Sequence, residues 1–171
     1  TFPIGQFDKL RPLTISSESS NDYTKAAYYF EDPNTPSIVG TTFDTSLTEN
    51  QFLSVSEYEF WHLEGSIPSK VTLTWDQDSN ASLYGDFITD LKVVGWSIID
   101  KVWVNLGNTN VEGDFNSGSI TSEDFIPSDY EIITIGGNSD LLETVENISL
   151  DNYYMTPNGD GINDFLVIEG I

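Results

Sequence analysis

The chain has 171 residues, with 28 acidic side chains against six basic ones, one histidine and no cysteine, for a formal charge of −22. That field repels phosphate backbones and draws in cations, so nucleic acid and anionic lipid are poor candidate partners and divalent cations are the natural counter-ions. The missing cysteine removes disulfides, thiolate metal sites and thiol nucleophiles.

A hydrophobic share of 38% with 13% aromatic residues is too rich for a disordered chain. The length suits one domain with a tail better than two full domains. No stretch approaches the ~18 consecutive apolar residues of a membrane helix. The opening "TFPIGQFDKL" lacks the charged-then-apolar order of a signal peptide, so an exported form would have lost its signal or carried it upstream.

Strand signals begin with "RPLTIS". Residues 23–30, "YTKAAYYF", read as a strand that ends at "EDPNTP", where Pro33 and Pro36 forbid continuation. In "EYEFWHL", residues 57–63, Tyr58, Phe60 and His62 fall on one face and Trp61 and Leu63 on the other. "KVTLTW" sets Val71, Leu73 and Trp75 opposite Thr72 and Thr74, the pattern of a half-buried antiparallel strand.

"FITDLKVVGW" and "DKVWVNLG" supply two further apolar runs, and "YEIITIGG" a last strand that Gly136 and Gly137 should stop. "NSDLLETVENI" makes two helical turns at most. Seven or more short strands between turn residues predict an all-β antiparallel sandwich, immunoglobulin-like or jelly-roll. The expected organisation is a sandwich over residues 1–136, a connector over 137–152 and a separate closing segment over 153–171.

"TPNGDGINDF" gathers oxygen-bearing side chains around Gly159 and Gly161, and Ca²⁺ takes six to eight oxygens of this kind. Asn158, Asp160 and Asp164 are the candidate ligands. The ring of acids and the final bidentate Glu of a full calcium loop are missing, and a tight turn explains the same residue types. "WDQDSNAS" places Asp76, Asp78 and Asn80 at alternate positions after a strand; with no glycine at the bend, it reads as a solvated loop. Asn80 and Asn147 begin Asn-x-Ser acceptors, which matter only in a host that glycosylates them.

His62, alone, cannot form a two-histidine zinc site, and no Gly-x-Ser-x-Gly elbow supplies a nucleophile, so no catalytic residue is indicated. Trp61, Trp75, Trp96 and Trp103 would make a sugar-binding platform if exposed in a row. Each lies in an apolar run, which favours the core.

The closing "MTPNGDGINDFLVIEGI" resembles the opening of the gliding-motility-associated C-terminal domain, the type B sorting domain of proteins exported by the type IX secretion system. The family's Thr-Pro-Asn-Gly-Asp-Gly-x-Asn-Asp turn stands at residues 156–164, and Phe165, Val167, Ile168, Gly170 and Ile171 match the strand that follows it. The resemblance covers residues 153–171 and lacks the family's later Asn-Arg-Trp-Gly segment, which implies the truncated start of a second β-sandwich. "TFPIGQFDKLRPLTIS", "VVGWSIIDKVWVNLG" and "GSITSEDFIPSDYEIITIG" are similar to the β-rich segment that precedes this domain in large surface proteins of gliding bacteria.

The resemblance implies a secreted, adhesin-like, non-enzymatic surface protein. Its expected partners are the type IX translocon with its outer-membrane shuttle components and a surface glycan or protein ligand, with Ca²⁺ as the candidate cofactor. The alternative is a carbohydrate-binding β-sandwich module of an exported glycan-degrading enzyme, and tryptophan exposure separates the two.

Overall fold

Val71, Leu73 and Trp75 alternate with Thr72 and Thr74 in a strand buried on one face, and this strand lies inside the smaller of two packed sheets. The computed structural model describes residues 1–19, 25–38 and 40–138. Twelve strands occur there: β1 Gly5–Gln6, β2 Lys9–Leu10, β3 Thr14–Ser16, β4 Lys25–Tyr29, β5 Leu53–Val55, β6 Phe60–Glu64, β7 Lys70–Asp76, β8 Leu91–Ser97, β9 Trp103–Asn105, β10 Asn110–Asp114, β11 Ser117–Thr121 and β12 Tyr130–Asn138. One sheet runs β10-β11-β7-β3 and the other β4-β6-β12-β8-β9, with β5 also paired to β12; β1 and β2 form a separate hairpin. The strand pairs are antiparallel, as the sequence pattern predicts.

Between the sheets, Leu13, Val71, Leu73, Trp75 and Ile120 meet Trp61, Leu63, Val93, Ile133 and Ile135. A second core lies on the far face of the larger sheet, where Phe60, Val94, Trp96, Trp103 and Ile132 pack with Leu53, Val55 and Phe43. Strands β6, β8 and β12 therefore bury both faces, which is why "VVGW" and "IITI" read as unbroken apolar runs. The parity expected for residues 57–63 holds: Phe60 faces the outer core, Trp61 and Leu63 the inner one.

The outer core is roofed by residues 31–38 and 40–52. Phe43 meets Trp96 edge-on at 5.8 Å and 73°, and Trp96 meets Trp103 likewise at 5.7 Å and 74°. The Asn34 side chain accepts the Thr45 N–H at 2.9 Å, and the Phe43 N–H donates to the Pro33 carbonyl at 3.0 Å. Trp103 N–H donates to the Leu47 carbonyl and Glu49 N–H to the Trp103 carbonyl, both at 2.8 Å, so this segment also lines the outer side of β9.

Gly136 and Gly137 do not stop the last strand. They sit inside the ladder, paired with β5 on one side and β8 on the other, and β12 continues to Asn138 in the stretch expected to be connector. A Cβ on Gly136 would lie 2.2 Å from the Ser54 carbonyl oxygen, and one on Gly137 1.5 Å from that of Tyr84. Close backbone approach explains these glycines better than chain reversal. The described residues belong to one unit, Thr1–Asp140. The remainder of "NSDLLETVENI", the rest of the connector and the closing turn lie outside the described residues.

Candidate functional site

Arg11 is the chain's only arginine, and it is almost completely buried. Pro12 favours extended backbone at Arg11, and the Arg11 N–H donates to the Ile4 carbonyl at 2.8 Å. From there the side chain reaches both sheets. Its Nε donates to Glu59 Oε2 at 2.9 Å, while Nη1 and Nη2 donate to the two Asp76 oxygens at 2.9 and 2.5 Å in a bidentate fork.

Nη2 also donates to Ser79 Oγ at 3.3 Å. The Tyr28 hydroxyl donates to Glu59 Oε2 at 2.6 Å, and the Thr134 hydroxyl to the Glu59 carbonyl at 2.5 Å. The cluster thus fastens the segment before β3 to β4, to the connection entering β6, to β12 and to the end of β7.

Burial alone would lower the Arg11 pKa, but the hydrogen bonds with Asp76 and the charge of Glu59 outweigh it and hold the guanidinium above its ordinary value. Burial and then the Glu59 charge push the Tyr28 phenol up. For Asp76, burial works upward, yet hydrogen bonds from Arg11 and the Asp78 N–H prevail and keep it below the usual carboxylate range. Arg11 and Tyr28 therefore keep their protons, and both carboxylates are engaged. The arrangement sets one guanidinium against two carboxylates and fixes their geometry, while Glu59 Oε1 is buried without a hydrogen-bond partner.

The "WDQDSNAS" loop is tied down more tightly than expected for a solvated loop. Asp76 caps the turn Gln77–Ser79 by accepting the Asp78 N–H at 2.9 Å, Asp78 pairs with Lys9, and Asn80 takes a left-handed conformation at φ 51°. Two of its three candidate cation ligands are already held by basic side chains.

His62 lies on β6, where Nδ1 donates to the Glu131 carbonyl at 2.9 Å and Nε2 lies 3.2 Å from Glu64 Oε1. It borders a cleft of about 120 Å³ with Ile38, Thr41, Phe43, Glu131 and Ile132, well short of the ~300 Å³ at which small-molecule pockets begin. A second cleft, of about 280 Å³, is lined by Glu18, Ser19, Ile67, Pro68 and Asp124, and Asp124 is paired with Lys70 at 3.3 Å.

All four tryptophans are buried. Trp61 and Trp75 lie between the sheets, with Trp75 Nε1 donating to the Asp114 carbonyl at 2.8 Å; Trp96 and Trp103 lie in the outer core with Phe43. The expectation that each ring is core holds, though two occupy a core on the outer face. Asn158, Asp160 and Asp164, with Asn147, lie outside the described residues. Among the described residues no group of three or more His, Asp or Glu side chains is placed to hold a metal, and no helix is long and apolar enough to cross a membrane.

Sequence reading missed the Arg11 cluster. Its one available signal was a lone arginine in a chain of 28 acids, since a single guanidinium in that field is suited to a multiply bonded, buried position. Comparisons of the chain with protein-family models, with curated proteins and with solved structures return no match.

Proposed function

We propose that this chain is a non-catalytic β-sandwich module from the C-terminal region of a secreted, adhesin-like surface protein, exported through the type IX secretion system. The observation that carries the reading is the Thr-Pro-Asn-Gly-Asp-Gly-x-Asn-Asp turn at residues 156–164, with its matching strand, following a β-sandwich. Two findings support it. The best-connected polar cluster fastens strands of both sheets together, and the four tryptophan rings that a sugar-binding platform would need are inside the cores. In this reading Asn158, Asp160 and Asp164 hold one Ca²⁺ where connector meets sorting domain.

The test uses the sandwich followed by residues 137–171 and whatever the gene encodes after Ile171, fused behind a secretion signal and a reporter in a gliding bacterium. Export in the wild-type strain and retention in a translocon-deficient one is the expected result, and equal export in both refutes the assignment. Calorimetry on the same protein should show Ca²⁺ uptake that Asp160→Ala and Asp164→Ala weaken. If no Ca²⁺ binds yet both substitutions block export, the turn is read directly by the machinery and the metal is dispensable.

A further inference from the structure

Phe7 occupies the first central position of the two-residue turn between β1 and β2, with φ at 57°. Glycine is the usual occupant where a primed hairpin turn needs positive φ, and a bulky residue there is strained. The ring is 86% exposed, so folding gains nothing by burying it. Backbone strain and an unburied phenyl both count against a stabilising role, and together they direct attention to recognition.

The hairpin that presents this ring is firmly held. Gln6 Oε1 accepts the Phe30 N–H at 2.6 Å, and Lys9 lies 4.5 Å over the Phe30 ring while pairing with Asp78. Through Asp78 the hairpin joins the turn Gln77–Ser79, which Asn80 links directly to the turn Ala81–Leu83, where the Leu83 N–H donates to the Asn80 carbonyl at 3.0 Å. Leu10 and Leu83 are each 62% exposed. Asp8 sits at the hairpin tip, and the nearby cations, Lys9 and Arg11, are already paired with carboxylates.

Charge decides what kind of occupant fits. Lys25, Lys70 and Lys101 are likewise paired with carboxylates, and the whole chain carries −22. A second copy or an anionic lipid would meet like charge. We propose that the β1–β2 hairpin and the Ala81–Leu83 turn form a docking surface for a basic, amphipathic polypeptide segment. Its apolar side chains pack on Phe7, Leu10 and Leu83, and its lysines and arginines meet Asp8 and the net negative charge of the chain. This surface stands independently of the export reading.

The test is fluorescence anisotropy on the full chain at physiological ionic strength, with a labelled lysine–phenylalanine peptide and a lysine–serine peptide of equal charge. The phenylalanine peptide should bind about tenfold or more tightly, and Phe7→Ser and Leu83→Ser should each weaken it by about tenfold. Ile99→Ser, at an 85% exposed position beyond the opposite end of β8, should leave binding unchanged. Phe7→Gly should lose binding while raising the melting temperature, a combination that a structural role cannot produce.

Equal affinity for the two peptides, no binding of either, or an equal loss in Ile99→Ser overturns the proposal. So does self-association, or adsorption to phosphatidylcholine vesicles, that Phe7→Ser abolishes, since either names a different occupant. A Phe7→Gly variant no more stable than wild type refutes the strain argument on which the proposal rests.

Discussion

Replacing Arg11 with methionine keeps a long side chain in place but removes every hydrogen bond that Arg11 gives to Glu59 and Asp76. The two carboxylates then fare differently. The Asp76 side chain is 42% exposed and can rehydrate, whereas that of Glu59 is fully buried and keeps only the Tyr28 hydroxyl. Removing one partner of a buried pair costs about 3–5 kcal/mol, and most of that should come from Glu59. Replacing both Arg11 and Glu59 with methionine removes the stranded charge, so the double variant should recover much of the loss, short of wild type by about 1–3 kcal/mol, which the Tyr28 hydroxyl costs without its acceptor. Urea unfolding is the assay, because guanidinium is itself a salt and screens the charges under study. The double-mutant cycle then isolates the coupling between the two residues. An Arg11→Met loss below about 1 kcal/mol, or a double variant as unstable as the single one, would refute the view that Arg11 is there to neutralise Glu59.

Tyr84 gives a pH prediction: burial pushes its phenol up to about 12, against hydrogen bonds with Ser56 and the Glu57 backbone that work downward. The fold favours the neutral form, so this stability is complete below the unfolded value of ~10 and lost as pH rises through the folded one, about 3 kcal/mol in all. Urea midpoints followed from about pH 9 to pH 12 should fall less steeply in Tyr84→Phe than in wild type, and parallel slopes would disprove the assignment. Gly137→Ala should cost about 3 kcal/mol, at the upper end of overpacking, because its Cβ would meet the Tyr84 carbonyl oxygen at 1.5 Å. An unaltered melting temperature would show that the backbone near Tyr84 does not approach β12 so closely.

The parts of the fold legible in sequence are those where period and burial coincide. Strand β7 carries its alternation intact, and the tryptophans could be assigned to cores from the apolar runs around them. β10 and β11 are less legible, since "NVEGD" and "SGSIT" are polar, glycine-containing and weak as strands. They acquire that state by pairing, β11 with β7 and β10 with β11. The roof over the outer core was hidden for a similar reason: residues 31–52 have no periodicity, and Phe43 belongs to a core only because Trp96 lies opposite. Gly136 and Gly137 misled because glycine marks both chain reversal and close approach, and only the neighbouring Ser54 and Tyr84 carbonyls distinguish the two. Arg11 finds its partners 48 and 65 residues away, a separation no local pattern encodes.

The strip of chain along β9 bears on how such molecules behave when crowded. The outermost strand of a sheet is a template on which a neighbouring protein can add its own, the first step of aggregation. Here Leu47 and Glu49 already occupy the outward-facing Trp103 N–H and carbonyl of β9. On the smaller sheet, β10 presents Glu112 and Asp114 around Gly113, so an incoming copy meets like charge. Between crowded copies, strand exchange is thus blocked at β9 and opposed at β10, which leaves β3 and β4 as the edges where it could begin.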